Sequence, residues 1–243
     1  MKVLVDLGNS RLKWAVEHNN QLQVGQSVAN NMLTREYLTA CWQSLDKPVC
    51  LAIASVTSSV LLELIRSVAT ALWPTCQIFI SQSQAFAYSV RNGYVEPQRL
   101  GVDRWLALVA ARHYYPGNVC IVDCGTAITA DLLTDEGCHL GGYIGPGLRL
   151  MKQALMSGTE QLPYSHSQYP IAPAHCTEAA IYAGTLAAAV GMIKQVLVKQ
   201  TSSMQVLLTG GDAELIAQEL AMPFIMDSEL VLKGLSIDTS AVL

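Results

Sequence analysis

Charge is scarce in this chain of 243 residues. Lys, Arg, Asp and Glu together make up 14% of it, against about 25% in an average soluble domain. With hydrophobic residues at 51%, a disordered or collagen-like chain is excluded. The thin charge predicts that part of the surface is covered in an oligomer. Basic excess is lacking as well, since 15 Lys and Arg stand against 19 Asp and Glu. A broad nucleic-acid-binding face needs clustered Lys and Arg, so no nucleic-acid partner is expected. The seven cysteines (41, 50, 76, 120, 124, 138 and 176) include no Cys-x-x-Cys pair, and several sit in apolar runs such as Val119-Cys120-Ile121-Val122. They read as reduced core residues, which excludes a disulfide framework and a zinc site. The longest uncharged, mostly apolar stretch is Ala179 to Ile193, shorter than the roughly 20 residues of a membrane-spanning helix. Asp6 breaks the opening apolar run after three residues, which speaks against a secretory signal. A cytoplasmic protein without a membrane partner is the expectation.

Two common nucleotide signatures are also missing. No Gly-x4-Gly-Lys-[Ser/Thr] loop occurs, and no Gly-x-Gly-x-x-Gly follows a strand, so any nucleotide is held in another way. What the chain does contain is a repeat. Val3-Leu4-Val5-Asp6-Leu7-Gly8-Asn9-Ser10 and Cys120-Ile121-Val122-Asp123-Cys124-Gly125-Thr126-Ala127 are one device used twice: an apolar strand ending in Asp, a Gly turn with a hydroxyl or amide residue, then a second strand. Either copy alone reads as an ordinary hairpin. Together, each opening one half of the chain, they predict two similar lobes facing one another across a cleft. The pattern predicts lobes at 1–117 and 118–243, divided at Pro116-Gly117-Asn118. Strands and helices alternate after each hairpin, as in an α/β protein: helices near 33–45, 58–72, 102–115 and 177–199, and strands at 49–56 and 77–80. Residues 84–100 read as irregular.

A Gly turn exposes backbone N–H groups to an anion. A nearby hydroxyl and Lys13 add donors, and the strand-end Asp lies where a phosphate-borne cation would sit. Charge divides with the halves. Residues 1–118 carry 10 basic and 7 acidic groups, whereas residues 119–243 carry 5 and 12. Arg91, Arg99, Arg104 and Arg112 fall close together, which suits a small anionic ligand or an ordinary solvated face. Thr209-Gly210-Gly211 ends a strand and opens a helix, where a base or ribose could approach. Gly141-Gly142-Tyr143-Ile144-Gly145-Pro146-Gly147 reads equally as a ligand loop or as a plain turn before a helix. Asp103 is either a general base or the cap of the helix that follows it.

These motifs, in this order with Gly101-Val102-Asp103-Arg104 and Leu230-Val231-Leu232-Lys233-Gly234-Leu235, resemble the type III pantothenate kinases over essentially the whole chain. Ser10 stands where the family commonly has Thr, and the hydroxyl is kept. The resemblance implies duplicated ribonuclease H-like, actin-like α/β lobes with a cleft between them. It implies ATP-dependent phosphorylation of pantothenate, the first step of coenzyme A synthesis. It further implies magnesium, a monovalent cation (K+ or NH4+) and a homodimer with the substrate site near its interface.

Carried onto this sequence, the resemblance makes Asp103 the general base. Asp6 faces magnesium through water, and Asp6, Leu7, Gly8, Asn9, Ser10, Arg11, Leu12 and Lys13 form the first phosphate loop. Thr126 is a second phosphate donor, Gly210 and Gly211 lie at the adenosine, and Asp123 holds the monovalent cation. Tyr94, Gly101, Val102 and Arg104 face pantothenate, and Thr177 reaches substrate, in the neighbour's site. The helix 177–199 carries small residues at Ala180, Gly184, Ala188 and Gly191, expected at a dimer seam or packed within one subunit. Two alternatives remain: a kinase or phosphatase of the same superfamily with another substrate, or a nucleotide-binding accessory factor in transcription.

Overall fold

A computed structural model describes residues 1–19, 21–159 and 162–240. In chain order its first elements are β1 (Lys2–Leu7), β2 (Arg11–His18), β3 (Gln21–Val24), β4 (Val28–Ala29), α1 (Arg35–Trp42), β5 (Cys50–Ser55), α2 (Ser59–Leu72) and β6 (Gln77–Ile80). Then come β7 (Phe86–Ala87), β8 (Val90–Arg91), α3 (Val102–Tyr114), β9 (Val119–Cys124), β10 (Ala127–Leu133) and β11 (His139–Pro146). The chain closes with α4 (Leu148–Gly158), α5 (Thr177–Val198), β12 (Gln205–Thr209), α6 (Ala213–Leu220), β13 (Ile225–Met226) and α7 (Leu230–Ser240).

Contacts divide the chain into two compact units. The first holds Met1–Tyr115, Glu136–His139 and the chain from Glu229 onward, and the second holds Pro116–Asp135 and Leu140–Ser228. The boundary at Tyr115 lies beside the expected breaker, Pro116-Gly117. The second lobe expected over 118–243, however, is not one segment, because α7 returns to the first unit and packs on α3. A Cβ on Gly234 would lie 2.0 Å from the Leu106 carbonyl oxygen, so the two helices meet backbone to backbone. Only glycine allows that approach.

In the first unit the sheet runs β3-β2-β1-β5-β6, with β4 also on β2. β1 and β2 are antiparallel, whereas β5 and β6 run parallel to β1. Alternation sends Val3, Val5 and Leu7 into one core with Trp14 and Trp42, under α1 and α2. Leu4 and Asp6 point to the opposite face, over which α7 lies. Trp42 stacks on Trp73 with centroids 5.6 Å apart and meets Trp14 edge-on at 6.4 Å.

The second unit repeats the plan: its sheet runs β11-β10-β9-β12-β13, with a β9–β10 antiparallel pair beside parallel β12 and β13. Its core joins Val122, Ile128 and Leu208 to Leu186 and Ile193 of α5 and Ile216 of α6. Burial pushes the Cys120 thiol up to about 12, with the Asp131 charge adding to the shift, as suits an inert core cysteine. α5 spans 22 residues, longer than its uncharged stretch, and by length and composition alone could cross a membrane. Seven of its residues are buried in the unit.

Candidate active site

The first hairpin is built by local hydrogen bonding. Asp6 pairs with Lys13 and Leu7 with Leu12 across β1 and β2, so the carboxylate and the ammonium share one face of the ribbon. The Gly8 N–H donates to the Arg11 carbonyl at 3.0 Å, closing a turn with Asn9 exposed at its tip. Asn30 fixes this turn from outside. Its side-chain amide donates to the Gly8 carbonyl at 2.8 Å, and its backbone N–H donates to the Ser10 carbonyl at 2.9 Å. Sequence reasoning missed Asn30, since the pair Asn30-Asn31 between strand and helix carries no motif. Arg11 differs from its neighbours in the loop: its guanidinium donates to Ser27 Oγ at 3.0 Å and the Ser27 carbonyl at 3.1 Å, on the exposed edge of the sheet.

The second cluster of the same unit opens α3. Gly101 is the helix N-cap and makes no side-chain cap bond, while Asp103 lies inside the first turn. The Asp103 side chain is therefore not the cap. Its Oδ1 accepts the Arg104 N–H at 2.8 Å and bends back over Gly101, where a Cβ would lie 2.5 Å from it. The buried Arg104 donates from Nη1 to the Tyr94 hydroxyl at 2.8 Å, and its guanidinium carbon lies 5.5 Å from the Tyr94 ring centroid. His139 stacks with the same tyrosine, with ring centroids 6.0 Å apart and planes 14° apart. Gly101 and Val102 also line a polar pocket of about 470 Å³ with Ser55, Ser81, Ser83 and Arg99 at the ends of β5 and β6.

In the second unit Asp123 stands opposite Thr129, and the Gly125 N–H donates to the Ala127 carbonyl at 3.0 Å. This turn is one residue shorter than the first. Two glycines hem it in. Gly210, at φ +94°, would place a Cβ 2.4 Å from Asp123 Oδ1, and Gly147 would place one 2.2 Å from the Gly125 carbonyl oxygen. The Gly147 N–H also donates to the Thr126 carbonyl at 3.0 Å. Gly147 thus braces the turn and starts α4. Arg149 and Lys152 of α4 both draw down the Asp212 carboxyl, but burial outweighs them and holds it above its ordinary value. Burial, with the Asp123 and Asp212 charges, pushes the Cys124 thiol far up, so it remains a thiol. Asp123, Thr126, Gly210 and Gly211 therefore come together in one unit. Thr177, at the exposed start of α5, belongs to that unit too, whereas Tyr94, Gly101, Val102, Asp103 and Arg104 belong to the other.

Among the described residues no group of three or more His, Cys, Asp or Glu side chains could hold a metal ion. Each hairpin instead offers one strand-end carboxylate. That donor set fits Mg²⁺, which keeps most of its water and binds through one or two carboxylates plus the phosphates it arrives with. Around Asp123 the packing is close: Gly210 has no room for a Cβ beside the carboxylate and the Cys124 backbone.

Both units share one strand order, and solved structures share the fold. A conserved putative Baf family transcriptional activator from Campylobacter jejuni matches with TM-score 0.60 at 20% identity, over 99% of this chain and 100% of that one. A putative 2-dehydro-3-deoxygalactonokinase from Sinorhizobium meliloti matches with TM-score 0.57 at 12% identity, over 100% of this chain and 99% of that one. At such identities the likeness is one of fold, and the fold is the actin-like α/β class with a ribonuclease H-like sheet in each unit. A profile of the type III pantothenate kinases matches residues 2–199. Type III pantothenate kinases of Nitrosococcus oceani and Halorhodospira halophila are 35% and 38% identical to it, each over 97% of this chain, and over 92% and 96% of their own lengths. The chain belongs to the type III pantothenate kinase family.

Proposed function

We propose that the protein transfers the γ-phosphoryl group of ATP to the primary hydroxyl of pantothenate, giving 4'-phosphopantothenate and ADP, the step that opens coenzyme A synthesis. The observation that carries this reading beyond family membership is the Asp103 carboxylate, folded over a glycine at the start of α3 beside the buried Arg104 and its half-buried partner Tyr94. Phosphoryl transfer asks a protein for positioning and charge neutralisation. Asp103 accepts the hydroxyl proton as the substrate oxygen bonds to the γ-phosphorus and the bond to the ADP oxygen breaks. Arg104, held in place by Tyr94, faces the pantothenate carboxylate, with Gly101 and Val102 presenting backbone along the substrate.

The first hairpin, Asp6 to Lys13, receives phosphates at its Gly8–Ser10 turn and Lys13. Arg11 contributes to the turn through its backbone carbonyl rather than its charge. Thr126 donates to phosphate, and Gly210 and Gly211 leave room for the adenosine. Asp6 is the residue for Mg²⁺ and Asp123 the residue for K+ or NH4+; when bound, these ions offset the negative charge of the triphosphate.

A homodimer completes the proposal. Ala180, Gly184, Ala188 and Gly191 are all exposed on one side of α5, and a Cβ on Gly184 or Gly191 would meet nothing within 4 Å. Small residues facing open space are not serving packing within the chain. The first three, Ala180, Gly184 and Ala188, line an apolar groove of about 660 Å³ with Met151 and Leu155 of α4 and with Thr177. A second copy seated there would bring Thr177 toward the neighbour's substrate, and the cytoplasm is the compartment proposed.

Purified protein assayed with ATP, Mg²⁺ and pantothenate, first in K+ and then in Na+, tests the reading. Turnover of pantothenate that depends on K+ is the expected result. Phosphorylation of a sugar or simple acid in place of pantothenate, or of nothing at all, would overturn it.

A further inference from the structure

The loop that presents Tyr94 starts from a hairpin whose sequence does not suit its shape. β7 and β8 are joined by the two-residue turn Tyr88-Ser89, and both residues have positive φ, 54° and 60°. Turns of this kind favour Asn-Gly. A tyrosine and a serine held in the left-handed region cost about 1 kcal/mol or more each, and such strain persists only where the surroundings impose it.

One imposing group is Asp238 of α7, buried to 1% exposure. Its Oδ1 accepts the Tyr88 hydroxyl at 2.8 Å and its backbone carbonyl accepts the same hydroxyl at 3.1 Å, while Oδ2 accepts Ser81 Oγ at 2.5 Å. Burial and the Asp238 charge push the Tyr88 phenol well up, so it stays a donor. Beyond the turn the chain passes straight to Asn92, whose buried side chain makes three bonds. Its amide donates to the carbonyls of Gln84 and Pro97, each at 3.1 Å, and its Oδ1 accepts the Tyr94 N–H at 3.0 Å. Tyr94 then accepts from Arg104. Hydrogen bonds at both ends of the stretch from Tyr88 to Asn92 thus link α7 to the candidate substrate arginine through the chain, all within the first unit.

We infer that Asp238 and Tyr88 are positioning residues for substrate: they clamp the strained 88–89 turn so that Asn92 sets Tyr94 against Arg104. The inference rests on the pantothenate kinase reading and adds to it two residues that need touch neither substrate nor nucleotide.

Tyr88→Phe removes the hydroxyl alone. It is expected to raise the KM for pantothenate by about fivefold to tenfold while kcat and the KM for ATP stay within about twofold. In the double variant with Tyr94→Phe the two effects are expected to overlap instead of multiplying. Asp238→Asn, which keeps an acceptor for Tyr88, is expected to lie nearer wild type than Asp238→Ala. Hydrogen exchange at the Tyr94 amide supplies a readout without substrate, and faster exchange in Tyr88→Phe is expected. A lower melting temperature with an unchanged pantothenate KM, equal rises in both KM values, or unaltered exchange at Tyr94 would overturn the clamp. Absence of pantothenate turnover in the wild-type protein would instead overturn the kinase reading, and the exchange experiment would still decide the clamp.

Discussion

Gly101 separates the demands of folding from those of catalysis, and Gly101→Ala exploits the difference. Its φ of −54° and ψ of 135° are open to any L-residue, so alanine brings no backbone strain. The added Cβ would lie 2.5 Å from Asp103 Oδ1, where ordinary contact begins near 3.4 Å. The carboxylate must therefore retreat by about 0.9 Å, giving up or stretching its 2.8 Å bond from the Arg104 N–H. Because the displaced atom ends a flexible, half-buried side chain, the fold loses on the order of 1 kcal/mol, a shift of a few degrees in Tm. A general base displaced by that much costs on the order of 10²-fold in rate. Steady-state ADP release and differential scanning calorimetry on the same preparation measure both quantities. The expectation is a kcat reduced between about 10-fold and 100-fold in a protein that melts almost normally. A kcat within about threefold of wild type would refute the placement of Asp103.

Three further outcomes follow from other contacts. Asn30→Ala removes the amide that holds the Gly8 carbonyl and is expected to raise the KM for ATP about threefold to tenfold with little change in kcat; an unchanged KM would separate that turn from the phosphates. Gly210→Ala sets a Cβ against Asp123 and the Cys124 backbone at φ +94°, and a loss of about 2–4 kcal/mol in urea unfolding is expected, with less than about 1 kcal/mol counting against the packing described. Asp212 has a carboxyl raised above its usual 3.8 by burial, so the native protein holds that proton more tightly than the unfolded chain. Its contribution to stability falls as pH climbs from the usual value through the folded one. Asp212→Asn is thus expected to melt higher than wild type at neutral pH and to lose that advantage in acid, and equal melting curves at both would contradict it.

Much of this was legible in the letters because the device occurs twice. The Asp-x-Gly turns at Asp6 and Asp123 announced two hairpins, and the alternation after each announced the parallel strands beside them. Residues 84–100 were read as irregular, since two-residue strands leave no periodic trace and Tyr88-Ser89 is not a recognisable turn sequence. Asp103 could be read as a cap, and only the geometry shows Gly101 in that place and the carboxylate folded over it. A helix from about Leu230 that crosses back to the first half is open to the sequence but not fixed by it, because nothing local to Gly234 says that it meets Leu106. Asn30, Arg149 and Lys152 act through space on turns distant in sequence, which no local pattern encodes.

The central claim is that one carboxylate at the start of α3 takes the proton from pantothenate. Asp103→Asn keeps the shape and the acceptor for the Arg104 N–H while removing the base. Calorimetric titration with pantothenate and ATP, followed by the initial rate at saturation, is the direct measurement. Binding of both ligands near wild-type strength with a rate lowered by at least about 10²-fold is the predicted result; near-normal turnover in that variant would contradict it.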